Sequence, residues 1–257
     1  MTPSPQPSIF DARLNGKGRG RAGRAFLFLC LLACTSAQAG TFVVSPVRAT
    51  LSTSQQVGAL TVRNDGAEPT VVQLEVLSWS QQDAKDVYDP TREILATPPI
   101  FTVPPGGSQI VRVGLRRAPD PQRELSYRLY LQEVPPPPKP DFQGLQVALR
   151  IGVPVFVLPP APAKPVLRWK LSHTPQGQLK VTLSNDGNAH IQIANFRLVP
   201  AGREQLPTQQ VAAYVLPGQS RDWLVEAAPA PPPGSALRLF AQTDAGDIQA
   251  ELVVEQP

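Results

Sequence analysis

Only two cysteines occur, Cys30 and Cys34, and both fall within the first 39 residues. The chain beyond residue 39 therefore has no thiol, which excludes disulfides and thiolate metal sites there. Histidine is as scarce: His173 lies beside a Thr-Pro-Gln-Gly turn and His190 follows an Asn-Asp-Gly turn. Neither has carboxylate or cysteine company at metal-ligand spacing, so both read as surface residues, with no metal and no catalytic role expected. No G-x-S-x-G motif supplies a nucleophile elbow. The glycine-rich run at 16–20 (GKGRG) follows no strand, as a phosphate loop would require. Asp83, Asp86 and Asp89 lack EF-hand spacing and read as a solvated turn. The expectation is a non-enzyme without cofactors. Long apolar runs are also missing. Ala25 to Ala33 (AFLFLCLLA) is far short of the ~20 residues a membrane span needs, so the chain is not expected to be membrane-embedded.

That short run has its own meaning. Arg19, Arg21 and Arg24 precede it, and Ala37-Gln38-Ala39 follows as a small-residue cleavage site. Basic, apolar and A-x-A segments in this order predict a secretory signal peptide over residues 1–39. Leu31-Leu32-Ala33-Cys34 is a loose lipobox, which leaves a lipoprotein signal at Cys34 as the alternative. The leader carries five basic residues against Asp11. Taking these from totals of 24 basic and 20 acidic leaves 19 of each. A balanced remainder gives no electrostatic reason to expect nucleic acid.

Proline, in contrast, is abundant: 31 residues, more than twice the usual share of about 5%. It clusters at 98–105, 135–140, 154–165 and 229–233, and no helical periodicity survives between the clusters. From Leu145 to Val157 every odd residue is apolar: Leu145, Val147, Leu149, Ile151, Val153, Val155, Val157. A period of two predicts a strand with one face against an apolar environment. Thirteen residues is about twice the mean strand length, and Pro154 confines the strand to a sheet edge or a bulge. Soluble proteins normally avoid long apolar edges, so this one points to strand donation to a partner.

Two segments share a plan. Asn64-Asp65-Gly66 is followed about 41 residues later by Pro105-Gly106-Gly107-Ser108, and Asn185-Asp186-Gly187 about 32 residues later by Pro217-Gly218-Gln219-Ser220. Recurring turn signals between β-branched runs predict an all-β fold of two related β-sandwich domains. The boundaries expected are 40–158 and 166–257, joined by a stiff proline-rich linker at 159–165. Strands are expected at 41–51, 57–63, 70–79, 109–116, 125–134 and 144–158. In the second domain they are expected at 166–172, 178–184, 189–198, 211–216, 221–226, 236–243 and 247–254. Three arginines within apolar strands, Arg48, Arg112 and Arg150, must each reach water or a partner.

Six motifs then stand in order: SPVR at 45–48, RNDG at 63–66, ATPP at 96–99, PPGGSQIVRV at 104–113, YRLYLQEVP at 127–135 and LQVALRIGVPVF at 145–156. Together they resemble the PapD-like periplasmic chaperones of the chaperone–usher pilus pathway, with an L-R-x-x-x-P-V-F run like that of the archaic or spore-coat-type branch. The resemblance implies two immunoglobulin-like domains in a boomerang, periplasmic location, and binding of pilin subunits that are then passed to an outer-membrane usher. It implies that residues 145–153 donate an edge strand, with Leu145, Val147, Leu149 and Ile151 filling pockets of the pilin groove. It further implies that Arg48 anchors the pilin C-terminal carboxylate, and that Arg112, Glu133 and Asp244 form an interdomain charge set. The family's second anchor, a lysine, falls at Pro154; Arg150 is expected to replace it, with Arg128 as the alternative. A secreted structural or adhesive sandwich protein is the competing reading, and it predicts that the 145–157 strand is buried in its own fold.

Overall fold

A computed structural model describes residues 42–137, 145–202, 204–227 and 229–256. The predicted signal peptide lies outside the described residues. Four sheets form, two in each half of the described chain. In the first half, one sheet has the order β1 (Phe42–Ser45), β3 (Val57–Asn64), β8 (Ser108–Leu115), β6 (Ile94–Thr97). The facing sheet runs β2 (Ala49–Leu51), β10 (Arg150–Val157), β9 (Leu125–Glu133), β4 (Thr70–Gln82), β5 (Lys85–Pro90), with β7 (Ile100–Val103) also on β4. In the second half, β11 (Leu167–His173), β12 (Leu179–Asn185) and β15 (Ser220–Val225) face β14 (Gln209–Val215), β13 (Ile191–Pro200), β16 (Ala236–Thr243) and β17 (Gly246–Val253).

Alternation along the strands builds each core. On β3, Gly58, Leu60, Val62 and Asn64 point inward while Val57, Ala59, Thr61 and Arg63 face solvent. Leu60, Val62, Val111, Leu129, Leu131 and Val155 meet in the first sandwich. Leu171, Leu179, Leu183, Ile193, Phe196 and Leu239 meet in the second. Each fully buried aliphatic side chain contributes about 1.5–3 kcal/mol, so these two clusters carry the stability that disulfides do not supply.

The repeated turn plan has a physical basis. Asn64 and Asn185 are both fully buried, at 0% exposure. Asn64 donates to the Glu68 and Val103 carbonyls and accepts from Gly66 N–H; Asn185 donates to Ala189 and Val215 and accepts from Gly187 N–H. Their backbones bind the glycine turns of the two Pro-Gly motifs, through Gly106, Gly107, Gly218 and Gln219. Gly106 and Gly218 both sit at φ +68°, a left-handed conformation glycine adopts without steric cost. One polar clamp is used twice.

Three expectations change. The strand expected over 41–51 is two strands in opposite sheets, broken at Pro46, which has no N–H to continue a ladder. The strand expected from 144 begins at Arg150, preceded by Leu145–Leu149 in non-strand conformation. Strands β5, β6 and β7 were not expected from the sequence; they are short and stand among prolines and aspartates.

Candidate functional site

The alternating row of residues 145–157 is graded along its length. Val153, Val155 and Val157 are buried in the first core, and Leu149 and Ile151 are half-buried against it. Leu145 and Val147, at 86% and 74% exposure, extend the same row into solvent. On the side away from β9, β2 pairs with β10 only at Val155–Val157. Among the described residues, no strand pairs with the edge of Arg150–Pro154 there. Pro154 stands where the pairing stops, as a residue without a backbone donor must.

The opposite face of β10 lines a cleft between the sandwiches. Trp79, Phe156 and Leu216 are buried there, with Tyr88 and Tyr214 packed against them. Within this sheet Val155 pairs with Ala49 on one side and Tyr127 on the other, and Pro154 pairs with Arg128. One step along, Arg48, Pro154 and Arg128 lie in a row. Neighbouring strands are about 4.8 Å apart, so the two arginine backbones flank Pro154 at roughly 10 Å from each other. The Arg128 guanidinium lies 4.2 Å from the Trp79 ring centroid and 6.0 Å from that of Tyr214. Such cation–aromatic contacts hold a charge in place without neutralising it.

Arg150 is held elsewhere. Its Nη2 donates to Glu75 Oε2 at 2.7 Å, and the guanidinium covers Tyr130 at 4.0 Å. Four residues along the strand, it lies roughly 13 Å from Pro154. Gly152 keeps the intervening surface low: a Cβ there would meet Tyr130 at 3.0 Å and Arg128 at 3.4 Å.

The expected charge set is not assembled. Arg112 is exposed on β8, in the sheet opposite Glu133, because it alternates with the buried Val111 and Val113. Glu133 sits on β9 and accepts a hydrogen bond from Leu149 N–H. Asp244 instead pairs with Arg48, Nη1 to Oδ2 at 2.6 Å. His190 continues this set. Its ring stacks on Phe156 at 3.5 Å between centroids and 9° between planes. Nδ1 lies 2.7 Å from Glu124 Oε1, and Nε2 lies 3.6 Å from Asp244 Oδ2. His190 is therefore an interdomain residue with 11% of its side chain exposed, not the surface residue its sequence context suggests. Arg48 and Glu124 come from the first sandwich, Asp244 and His190 from the second. The set is a row of alternating charge.

A second polar cluster also crosses the cleft. Gln81, at the end of β4, donates to the Tyr214 carbonyl and accepts from Leu216 N–H. Asp86 accepts from Trp79, Gln81 and Arg221, and Arg221 also reaches the Ala84 carbonyl. Asp86 is thus drawn out of the expected solvated turn into this cluster, while Asp83 and Asp89 stay exposed. The tip of that turn, where Asp83 and Ala84 take φ of 49° and 60°, carries a docking surface for the second sandwich.

These environments set the charges. Burial opposes ionisation of Asp244, but the His190 imidazole 3.6 Å away and hydrogen bonds from Gln192 N–H and Arg48 outweigh it and hold its pKa at about 2. Burial likewise opposes charge on His190, yet Asp244 and Glu124 outweigh it and raise its pKa above 6.5. A raised pKa means that the folded state binds the proton more tightly. The stabilisation is fully present below pH ~6.5 and is lost as pH rises through the folded value. Thermal melts from about pH 6 to pH 9 are expected to fall more steeply for the native chain than for His190→Gln. Parallel curves would refute the pairing.

Two β-sandwiches of this kind, with a cleft between them, define a two-domain immunoglobulin-like protein. Residues 41–163 match the family described as pili and flagellar-assembly chaperone, PapD N-terminal domain. The match spans the first sandwich and stops short of the second. Solved structures share the fold. One is a chain of the CsuC–CsuE chaperone–tip adhesion subunit complex from archaic chaperone-usher Csu pili of Acinetobacter baumannii, with 21% identity, TM-score 0.64 and coverage of 85% of this chain and 100% of that one. Another is the YadV chaperone, with 19% identity, TM-score 0.61 and coverage of 83% and 100%. A third is a chain of the Salmonella enterica SafA pilin–SafB chaperone complex, with 18% identity, TM-score 0.58 and coverage of 85% and 98%. A search of curated protein sequences finds no match.

Proposed function

We propose that this chain is a periplasmic, non-enzymatic chaperone of the archaic chaperone–usher branch. It holds pilin subunits through the open edge at 145–154, anchors the subunit's C-terminal carboxylate in the cleft, and releases the subunit to an outer-membrane usher. The observation that carries this reading is the graded apolar row. Its inner members pack in the chaperone's own core, while Leu145 and Val147 stand in water beside an unpaired strand edge. A self-contained adhesive sandwich would bury both side chains. An incoming extended strand satisfies the free backbone groups, and alternate side chains enter its pockets.

The carboxylate anchor is Arg48 with Arg128. Arg48 and Arg128 flank Pro154 from either side, so two residues able to give charge-assisted donors stand beside the position where the family's lysine would fall. Arg150, the replacement expected from sequence, is engaged by Glu75 at the far end of the strand. Co-expression with a pilin, followed by purification of the complex, separates the two. Arg48→Ala and Arg128→Ala are each expected to reduce recovered complex at least tenfold, matching loss of bonds worth about 1.5–3 kcal/mol each. Arg150→Ala is expected to change it less than threefold. Loss with Arg150→Ala and retention with Arg128→Ala would reassign the second anchor; retention with Arg48→Ala would overturn the cleft as the anchoring site.

A further inference from the structure

We propose that Asp244 is a resident carboxylate that occupies Arg48 in the free chaperone, and that subunit loading is an exchange in which Asp244 turns from Arg48 onto His190. This inference rests on the anchor reading above. Four features of the cleft carry it. Arg48 binds Asp244 Oδ2 through Nη1 alone, and the arginine side chain is 41% exposed, so its remaining donors are open to an incoming anion. Asp244 Oδ1 is fixed by Gln192 N–H at 2.9 Å, which leaves Oδ2 free to pivot about a held atom. His190 Nε2 is buried, has no hydrogen-bond partner among the described residues, and waits 3.6 Å from that same Oδ2. The other ring nitrogen already faces Glu124, so the imidazole is oriented for the exchange.

The movement required is small. Closing 3.6 Å to a normal length of about 2.9 Å is a shift of about 0.7 Å. The driving force is like-charge repulsion. A second carboxylate on Arg48 would approach Asp244 in a partly desolvated cleft, where such repulsion is weakly screened. Turning onto His190 relieves it and gives an orphaned buried nitrogen a partner. Nε2 donates only when the ring is protonated, since Nδ1–H is committed to Glu124. The raised His190 pKa is consistent with that form. Glu124, Asp244 and Arg48 are the charged groups of this row, and Phe156 and Tyr214 pack against the ring.

The test uses the full chain and two synthetic probes: an N-acetylated hexapeptide of alternating valine and threonine with a free C-terminal carboxylate, and its C-terminal amide. Asp244→Asn keeps an acceptor for Gln192 and removes the competing charge. It is expected to bind the carboxylate peptide about tenfold more tightly than the native chain, with amide binding unchanged. Unchanged or weaker carboxylate binding, in a background where Arg48→Ala still removes the preference for carboxylate over amide, overturns the exchange and leaves the anchor standing. A preference that persists in Arg48→Ala overturns the anchor and the exchange with it. If Asp244→Asn does not fold, the native protein answers. The His190 Nε2 nitrogen resonance is expected to shift on saturation with the carboxylate peptide and not with the amide; an unmoved resonance overturns the exchange.

Discussion

A chaperone carrying Leu145→Asp and Val147→Asp together is expected to melt as the native protein does and to lose its pilin complex. The two side chains are mostly in water in the free chain, so replacing them removes almost no packing from the chaperone itself. In a complex, each fills an apolar pocket, and burial of such a side chain contributes about 1.5–3 kcal/mol. Losing both weakens binding by about 3–6 kcal/mol, or roughly two to four orders of magnitude. The introduced carboxylates add the cost of burying unpaired charge. Position along the row decides the outcome: Leu149→Asp places its charge against the chaperone's own core and is expected to lower its melting temperature as well. Co-purification of pilin beside a thermal melt of each variant reads both effects. Native yields of complex from the double variant would overturn strand donation.

Gln81→Ala is expected to cost the chaperone about 1–3 kcal/mol without touching the donor edge. Gln81 is 3% exposed, and its amide serves the Tyr214 carbonyl, Leu216 N–H and Asp86 at once. Truncation leaves the buried Leu216 N–H without its partner, at about 1–3 kcal/mol, while the Tyr214 carbonyl keeps Arg221 Nε. Denaturant unfolding measures the loss, and a free energy within 0.5 kcal/mol of native, about the usual effect of a surface substitution, would refute the clamp.

What the sequence made legible follows from how local each feature is. Period-two alternation and the two Asn-Asp-Gly signals are read within a few residues, so most strands and both asparagine clamps could be anticipated. The same alternation placed Arg112 on the solvent face, out of phase with Val111 and Val113, which argues against pairing it across the cleft. The true partners of Asp244 and His190 depend on two sandwiches meeting, and nothing near Asn185-Asp186-Gly187 marks His190 as buried. Arg128 was legible only as the alternative second anchor. Its nearness to Arg48 follows from strand order β2, β10, β9, in which a parallel pair and an antiparallel pair share Pro154's neighbourhood. Strands β5 to β7 lack the apolar alternation that identifies a strand, because their burial is partial and their pairing is with β4 and β8.

Gly187 gives the proline linker its direction. The extended run before Val166 passes so close that a methyl group on Gly187 would stand 2.4 Å from the Lys164 carbonyl oxygen and 2.5 Å from Val166 N. Asn185 and Asn188 then tie that same stretch down through Val166 and Lys164. Proline makes the arm straight, but the missing methyl lets the arm lie flat on the turn from which the second sandwich hangs. A side chain there would act as a shim, tilting that sandwich and drawing Asp244 and His190 away from Arg48 and Glu124. The aim of the whole cleft is thus calibrated by a hydrogen atom.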